Sequence, residues 1–316
     1  MRVCYLIQSH RDPPQVRRLV ATLGRSSPSC LILVMHDEAA GAIDPASLRS
    51  AAEVHYRPVR TAVRRGYLSM LDPYLAGIAW LRAQRHDYDW LVYLSGQDYP
   101  TQPLPRSEAQ LEAAEVDGYL RHWPALSSDG PWRRRRQGMR RYYYRYRDAP
   151  PWARPLLRLA KALNGIQDWM HVHLIYGPRI GLRRRRTPFV GDFECQVGWQ
   201  WTTLRRACTE GLLDELARRP DLLEYYRDTV CPDESLVQTV LLNARADDGS
   251  PRFRFVNDNL RFADNLESRD GRPRTLVQAD FDRLVAGPHH FARKFDPAVD
   301  SRILDRLDDW LKAGAR

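Results

Sequence analysis

The sequence is poor in lysine: Lys161, Lys294 and Lys312 are the only lysines among 49 basic side chains. It has no Cys-x-x-Cys pair, and its five cysteines (Cys4, Cys30, Cys195, Cys208, Cys231) are scattered and odd in number. That argues against a disulfide framework and against structural zinc, and it points to a reducing compartment. Long apolar runs are also missing. None approaches the roughly 18 residues that a membrane span needs. The amino-terminal MRVCYLIQSHRD turns polar too early for a signal peptide and reads instead as a first buried strand. A soluble, cytoplasmic protein is the expectation.

What is present is arginine. The net charge is +10, carried almost wholly by Arg. Such an excess suits a polyanionic partner (nucleic acid, an anionic membrane surface or a phosphorylated ligand) or reflects a bare preference for Arg. Hydrophobic residues at 43% and charged residues at 28% leave enough apolar material for a sizeable core, so wholesale disorder is excluded.

The 316 residues suit one large α/β domain or two joined halves. Strand signals at residues 3–9, 31–36 and 90–96 are separated by amphipathic helices beginning at Pro14 and spanning 67–85. Short apolar runs split by helices indicate a parallel, Rossmann-like sheet, which binds ligands at the carboxyl ends of its strands. Those ends read Ser9-His10, His36-Asp37 and Ser95-Gly96-Gln97-Asp98. Residues 123–186 differ, with RRRRQGMRRYYYRYR and RIGLRRRR among aromatics and prolines. They read as an insertion with one helix near 156–163, either a solvated basic loop or an Arg/Tyr surface that stacks on rings and pairs with phosphates. The last third reads as helical at 203–218, 233–244 and 301–311, with a short strand at 253–256.

Three segments could carry chemistry. In YLSGQDYP, Gln97 and Asp98 project toward the crevice. A lone carboxylate stands where many nucleotide-sugar enzymes place Asp-x-Asp for a divalent metal, so no metal is expected. Two Asp-x-Asp matches fall elsewhere: Asp87-Tyr88-Asp89 precedes a strand as a turn, and Asp280-Phe281-Asp282 begins a helix. In CPDESLVQTVL, Asp233 and Glu234 lie at a helix start, either as ordinary helix-start acids or with Glu234 as a general base. In GPHHFARKFD, Lys294 could neutralise a departing phosphate or cap the packed Phe291 and Phe295. His289 and His290 lack a third ligand and receive no metal role.

Together with VGWQWTTL, these segments resemble the core-2/I-branching β-1,6-N-acetylglucosaminyltransferase family, relatives of the peptide O-xylosyltransferases, over nearly the whole chain. The resemblance implies a GT-A-like α/β fold and inverting, metal-independent transfer of a GlcNAc- or xylose-like sugar from a UDP-sugar to an acceptor hydroxyl. It implies Glu234 as base, and Lys294 with Arg274 (or the neighbouring Arg272) at the diphosphate. His10, His36, Asp37, Gly66 and Asp98 would lie toward the nucleotide. Gln97, Trp199 and Trp201 would lie toward the acceptor, with core packing as the other reading of each tryptophan. Residues 1–122 would bind the nucleotide sugar, 123–190 form the insertion, and 191–316 hold the acceptor and the catalytic base. Lumenal members carry a membrane anchor and disulfides, and neither is read here.

The partners expected are thus a nucleotide sugar, a carbohydrate or other hydroxyl-bearing acceptor, and an anionic membrane surface met by the insertion, with no specific nucleic acid. The rivals are a transferase using another nucleotide donor and a non-catalytic basic binding protein.

Overall fold

The computed structural model describes residues 1–128, 136–264 and 273–314. Arg133, Arg134, Arg135 and Arg272 of the sequence reading lie outside the described residues.

The chain begins with β1 (Val3–Ser9), α1 (Pro13–Ser26), β2 (Leu31–Asp37) and β3 (Glu53–Val59). Asp12 caps α1 by accepting from the Gln15 amide at 3.3 Å, and prolines fill the first turn, where no amide is missed. Then come α2 (Asp72–Ala83), β4 (Trp90–Ser95), β5 (Asp98–Pro100), α3 (Leu104–Glu112), β6 (Gly118–Tyr119) and β7 (His122–Pro124). The helix expected over 67–85 is shorter. Pro73 fits only a first turn, so Leu68–Met70 forms a separate 3₁₀ turn ahead of α2.

The middle contains α4 (Gln137–Tyr142), β8 (Tyr144–Asp148), α5 (Arg154–Ala160), β9 (Met170–His173) and β10 (Arg179–Arg183). The remainder is β11 (Gln196–Gly198), β12 (Thr203–Arg205), α6 (Arg206–Arg218), α7 (Pro220–Arg227), α8 (Leu236–Asn243), β13 (Phe255–Val256), β14 (Arg261–Ala263), α9 (Phe281–Ala286), β15 (Phe291–Arg293) and α10 (Arg302–Ala313).

The central sheet runs β13-β6-β12-β4-β1-β2-β3. Strands β3, β2, β1 and β4 are mutually parallel, and β12 runs against both β4 and β6. This is a mixed α/β arrangement with a Rossmann-type parallel half. Alternation along β1 divides the core. Tyr5 and Ile7 join α1 and α10 on one face, while Cys4 and Leu6 join α2, α6 and α8 on the other. Each fully buried Leu or Ile contributes about 1.5–3 kcal/mol, so this two-sided burial anchors the strand ends firmly. The helix expected from residue 203 begins as strand β12, because β-branched Thr203 fills the slot between β4 and β6.

The middle segment is not a solvated loop with a single helix. It carries a separate antiparallel sheet, β8-β10-β9. Tyr144 and Tyr146 point inward, while Arg145 and Arg147 reach out to Asp228 at 3.0 and 3.2 Å. The Arg/Tyr alternation is therefore the two-residue period of a strand, and these tyrosines are core residues rather than a stacking surface.

Candidate active site

The carboxyl ends of β1 and β4 gather segments from across the chain. Gln8 bonds the Tyr93 hydroxyl and donates to the Met70 carbonyl at 3.2 Å. Gln200 donates to the same Tyr93 hydroxyl at 2.8 Å. Gln97 exchanges bonds with Phe295: the Phe295 amide donates to the Gln97 carbonyl at 2.9 Å, and the Gln97 amide side chain returns one at 3.3 Å. Gln238 holds the Trp199 carbonyl at 2.8 Å, and the Ser235 hydroxyl holds Gln196 at 2.7 Å. The YLSGQDYP, VGWQWTTL, PDES and FARKFD segments are thus stitched together in space.

Asp98 does not project into the crevice. It is fully buried, accepts from the Ser95 amide and hydroxyl at 3.1 and 3.0 Å, and faces Arg261 and Arg293 at 3.8 and 3.5 Å. Two guanidinium groups on one carboxylate leave an excess positive charge at the strand ends. Burial lowers Arg261 to about 10 despite Asp98 beside it, and burial lowers Arg293 as well. The Nε and Nη1 of Arg293 make no hydrogen bond among the described residues. Its guanidinium lies 4.2 Å from the centre of the Trp201 ring, which also packs on Tyr93 at 4.9 Å. Arg293 was overlooked in the sequence. The only signal was its place in FARKFD beside Lys294.

The acid pair lies ahead of a helix rather than within its first turn. Pro232–Glu234 form a 3₁₀ turn, and α8 starts only after Ser235. Glu234 is half-exposed and paired with Arg141 of α4. Asp233 is buried, and one of its carboxylate oxygens has no hydrogen-bond partner among the described residues. Burial first, then Glu234 beside it, pushes the Asp233 carboxyl up to about 7 against the pull of Arg141 and Arg65. Gly66 adjoins this turn, its carbonyl accepting from the Cys231 amide at 3.1 Å. Its φ of +82° and the Tyr176 ring, 2.5 Å from where a Cβ would sit, explain the glycine by packing.

His36 and Arg274, both expected on the nucleotide side, are engaged within the fold. His36 is buried with both ring nitrogens engaged, by the Ser9 hydroxyl at 2.6 Å and the Gly41 carbonyl at 2.7 Å, so it braces the end of β2 and offers no open nitrogen. Asp37 is half-buried and caps the following turn through the Ala39 amide at 3.0 Å; His10 is exposed. The Arg274 guanidinium is clamped by Asp264 at 2.9 Å and by Asp280 at 2.5 and 2.8 Å, which binds it into the fold instead of leaving it as an open cation. Asp280 thus joins that clamp at the turn before α9. Lys294 follows β15 directly and is half-buried.

Among the described residues, one group of possible metal ligands lies together, Glu53, His55 and His86, at the opposite end of the sheet. There Arg2 already holds the Glu53 carboxylate at 2.6 Å.

No protein-family model and no curated protein matches the chain. Among solved structures, S. aureus TarS aligns with 42% of this chain at 12% identity and a TM-score of 0.29, covering 23% of TarS. S. aureus TarS 1–349 in complex with UDP-GlcNAc aligns with 42% of this chain at 12% identity and a TM-score of 0.27, covering 37% of that chain. The chain therefore spans well under half the length of either, and neither likeness carries an argument about activity. No helix among the described residues is long and apolar enough to cross a membrane.

Proposed function

We propose that the protein is an inverting, metal-independent glycosyltransferase that moves a sugar from a UDP-sugar to an acceptor hydroxyl, in the manner of the core-2/I-branching family. The observation that supports it is the meeting of the four motif segments at the carboxyl ends of β1 and β4. A sheet of this kind binds nucleotides at that edge.

Glu234 takes the acceptor proton while the acceptor oxygen attacks the anomeric carbon from the face opposite UDP. The new C–O bond forms as the bond to the diphosphate breaks, and the electron pair leaves on UDP. Lys294 meets that charge, and the buried excess charge around Arg293 adds to it. Arg274 is left out of this role because Asp264 and Asp280 occupy it. Metal independence has support from the chemistry of the strand end: Asp98 is neutralised by two arginines and presents no open carboxylate to a divalent cation. His10 and Asp37 remain on the uridine side, with Gln97 and Trp199 toward the acceptor. Trp201 contributes more through its packing on Tyr93.

Nucleotide release from a panel of UDP-, GDP-, ADP- and CMP-sugars, with and without EDTA, tests this reading. UDP release undiminished by chelation is expected. Release from another nucleotide sugar would favour the alternative donor, and a requirement for added Mn²⁺ would overturn the metal-free step. Silence across the panel, with salt-sensitive nucleic-acid binding, would favour a binding protein.

A further inference from the structure

A run of exposed large hydrophobic residues lies on the middle segment, away from the four site motifs in sequence. Trp152, Leu156, Leu159, Leu163, Ile166 and Trp169 are 42–80% exposed. The first five recur at spacings of four, three, four and three, through a nearly continuous helical stretch from Pro151 to Gly165 that includes α5. This is the stripe that a surface helix ordinarily turns toward its own core. Here the stripe faces solvent, and Leu157 is the buried residue that ties α5 to the body.

The opposite side of the same stretch is basic. Arg154, Arg158 and Lys161 are exposed there, about 200° round the helix from the stripe, and from Ala149 to Gly191 the only acid is Asp168, itself paired with Arg136. A second copy docked through the same face would bring two strongly basic segments together. A nucleic acid would meet the arginines but leave the aliphatic stripe without a partner. An anionic bilayer satisfies both: leucine and isoleucine enter the acyl boundary, tryptophans sit at the headgroup level, and the basic side chains reach lipid phosphates.

We propose that residues 151–169 dock the protein in the plane of an anionic lipid surface. This does not rest on the transferase reading, although Arg141 of the same middle segment pairs with Glu234 and so sets the acid pair beside the docked module.

The test is co-sedimentation with phosphatidylcholine vesicles and with vesicles containing about one-third phosphatidylglycerol, at low and high salt. The protein should bind the anionic vesicles alone, and more weakly as salt rises. Leu156→Ser/Leu159→Ser/Ile166→Ser and, separately, Arg154→Gln/Arg158→Gln/Lys161→Gln should each weaken binding at least about tenfold, without lowering Tm, because the replaced side chains are exposed. Failure of the native protein to bind anionic vesicles at low salt would overturn the proposal. So would unchanged binding by both variants, or a dimer in sedimentation velocity that the serine variant abolishes.

Discussion

The guanidinium of Arg141 pairs with the carboxylate of Glu234, 93 residues away in sequence. The pair joins α4 of the middle segment to the turn before α8, so one residue of the supposed insertion orients the candidate base. Arg141 is a positioning residue on this reading. Arg141→Ala should lower kcat by about tenfold to a hundredfold, with KM for the UDP-sugar changed by less than about twofold, and Arg141→Lys should recover part of the loss. A rise in KM at constant kcat would assign Arg141 to donor binding instead.

Asp233 makes stability depend on pH. Its carboxyl is raised from 3.8 to about 7, chiefly by burial and then by Glu234. A group raised on folding contributes stability that is fully present below its unfolded value and lost as pH rises through its folded value. The native protein should therefore lose Tm between about pH 4 and 7 through this residue. Asp233→Asn stays neutral, so it should gain Tm relative to the native protein at pH 8 and match it more closely at pH 5. A difference in Tm that does not vary with pH would contradict this.

Arg274 and Lys294 should separate stability from catalysis. Arg274→Ala strands the nearly buried Asp264 and Asp280, which Arg283 still reaches at 3.0 and 3.1 Å. With that backup and its own partial exposure, the loss should be about 1–3 kcal/mol in denaturant unfolding, with kcat little changed. Lys294→Ala should act mainly on the rate, lowering it by about 10²–10³. Equal rate losses in both variants would restore Arg274 to the diphosphate.

Gly66→Ala should cost about 1–3 kcal/mol, from the positive φ and the Tyr176 ring together. Removing the ring in the double variant Gly66→Ala/Tyr176→Ala should make the glycine replacement less costly than in the native background. Thermal melts of the four proteins check this, and strict additivity would mean that the ring is not the obstacle.

Strands β1, β2 and β4 were legible because burial on both faces makes them continuous apolar runs. Strand β3 was missed: EVHYRPV lies at the sheet edge with most of its positions partly exposed, so its pattern is weak. Strand β8 showed its period plainly as Tyr-Arg-Tyr-Arg, but tyrosine beside arginine reads equally as a solvated basic loop or a stacking surface until burial separates the two residue types. At the site, the segments that meet were readable as motifs, whereas their pairing was not. Nothing local in the sequence announces that Asp98 lies under Arg261 and Arg293, or that Asp264 and Asp280 hold Arg274, because tertiary geometry alone decides which charges touch.

The most direct measurement is sugar transfer and UDP-sugar binding by Glu234→Gln, made side by side with the native protein. The amide keeps the shape and reach of the carboxylate but removes the basic lone pair. The result expected is a native-like fold, donor affinity within about threefold of native, and transfer lowered by about 10²–10⁴. Transfer at the native rate by Glu234→Gln would contradict Glu234 as the base and turn attention to Asp233, the neighbouring acid whose carboxyl burial has raised.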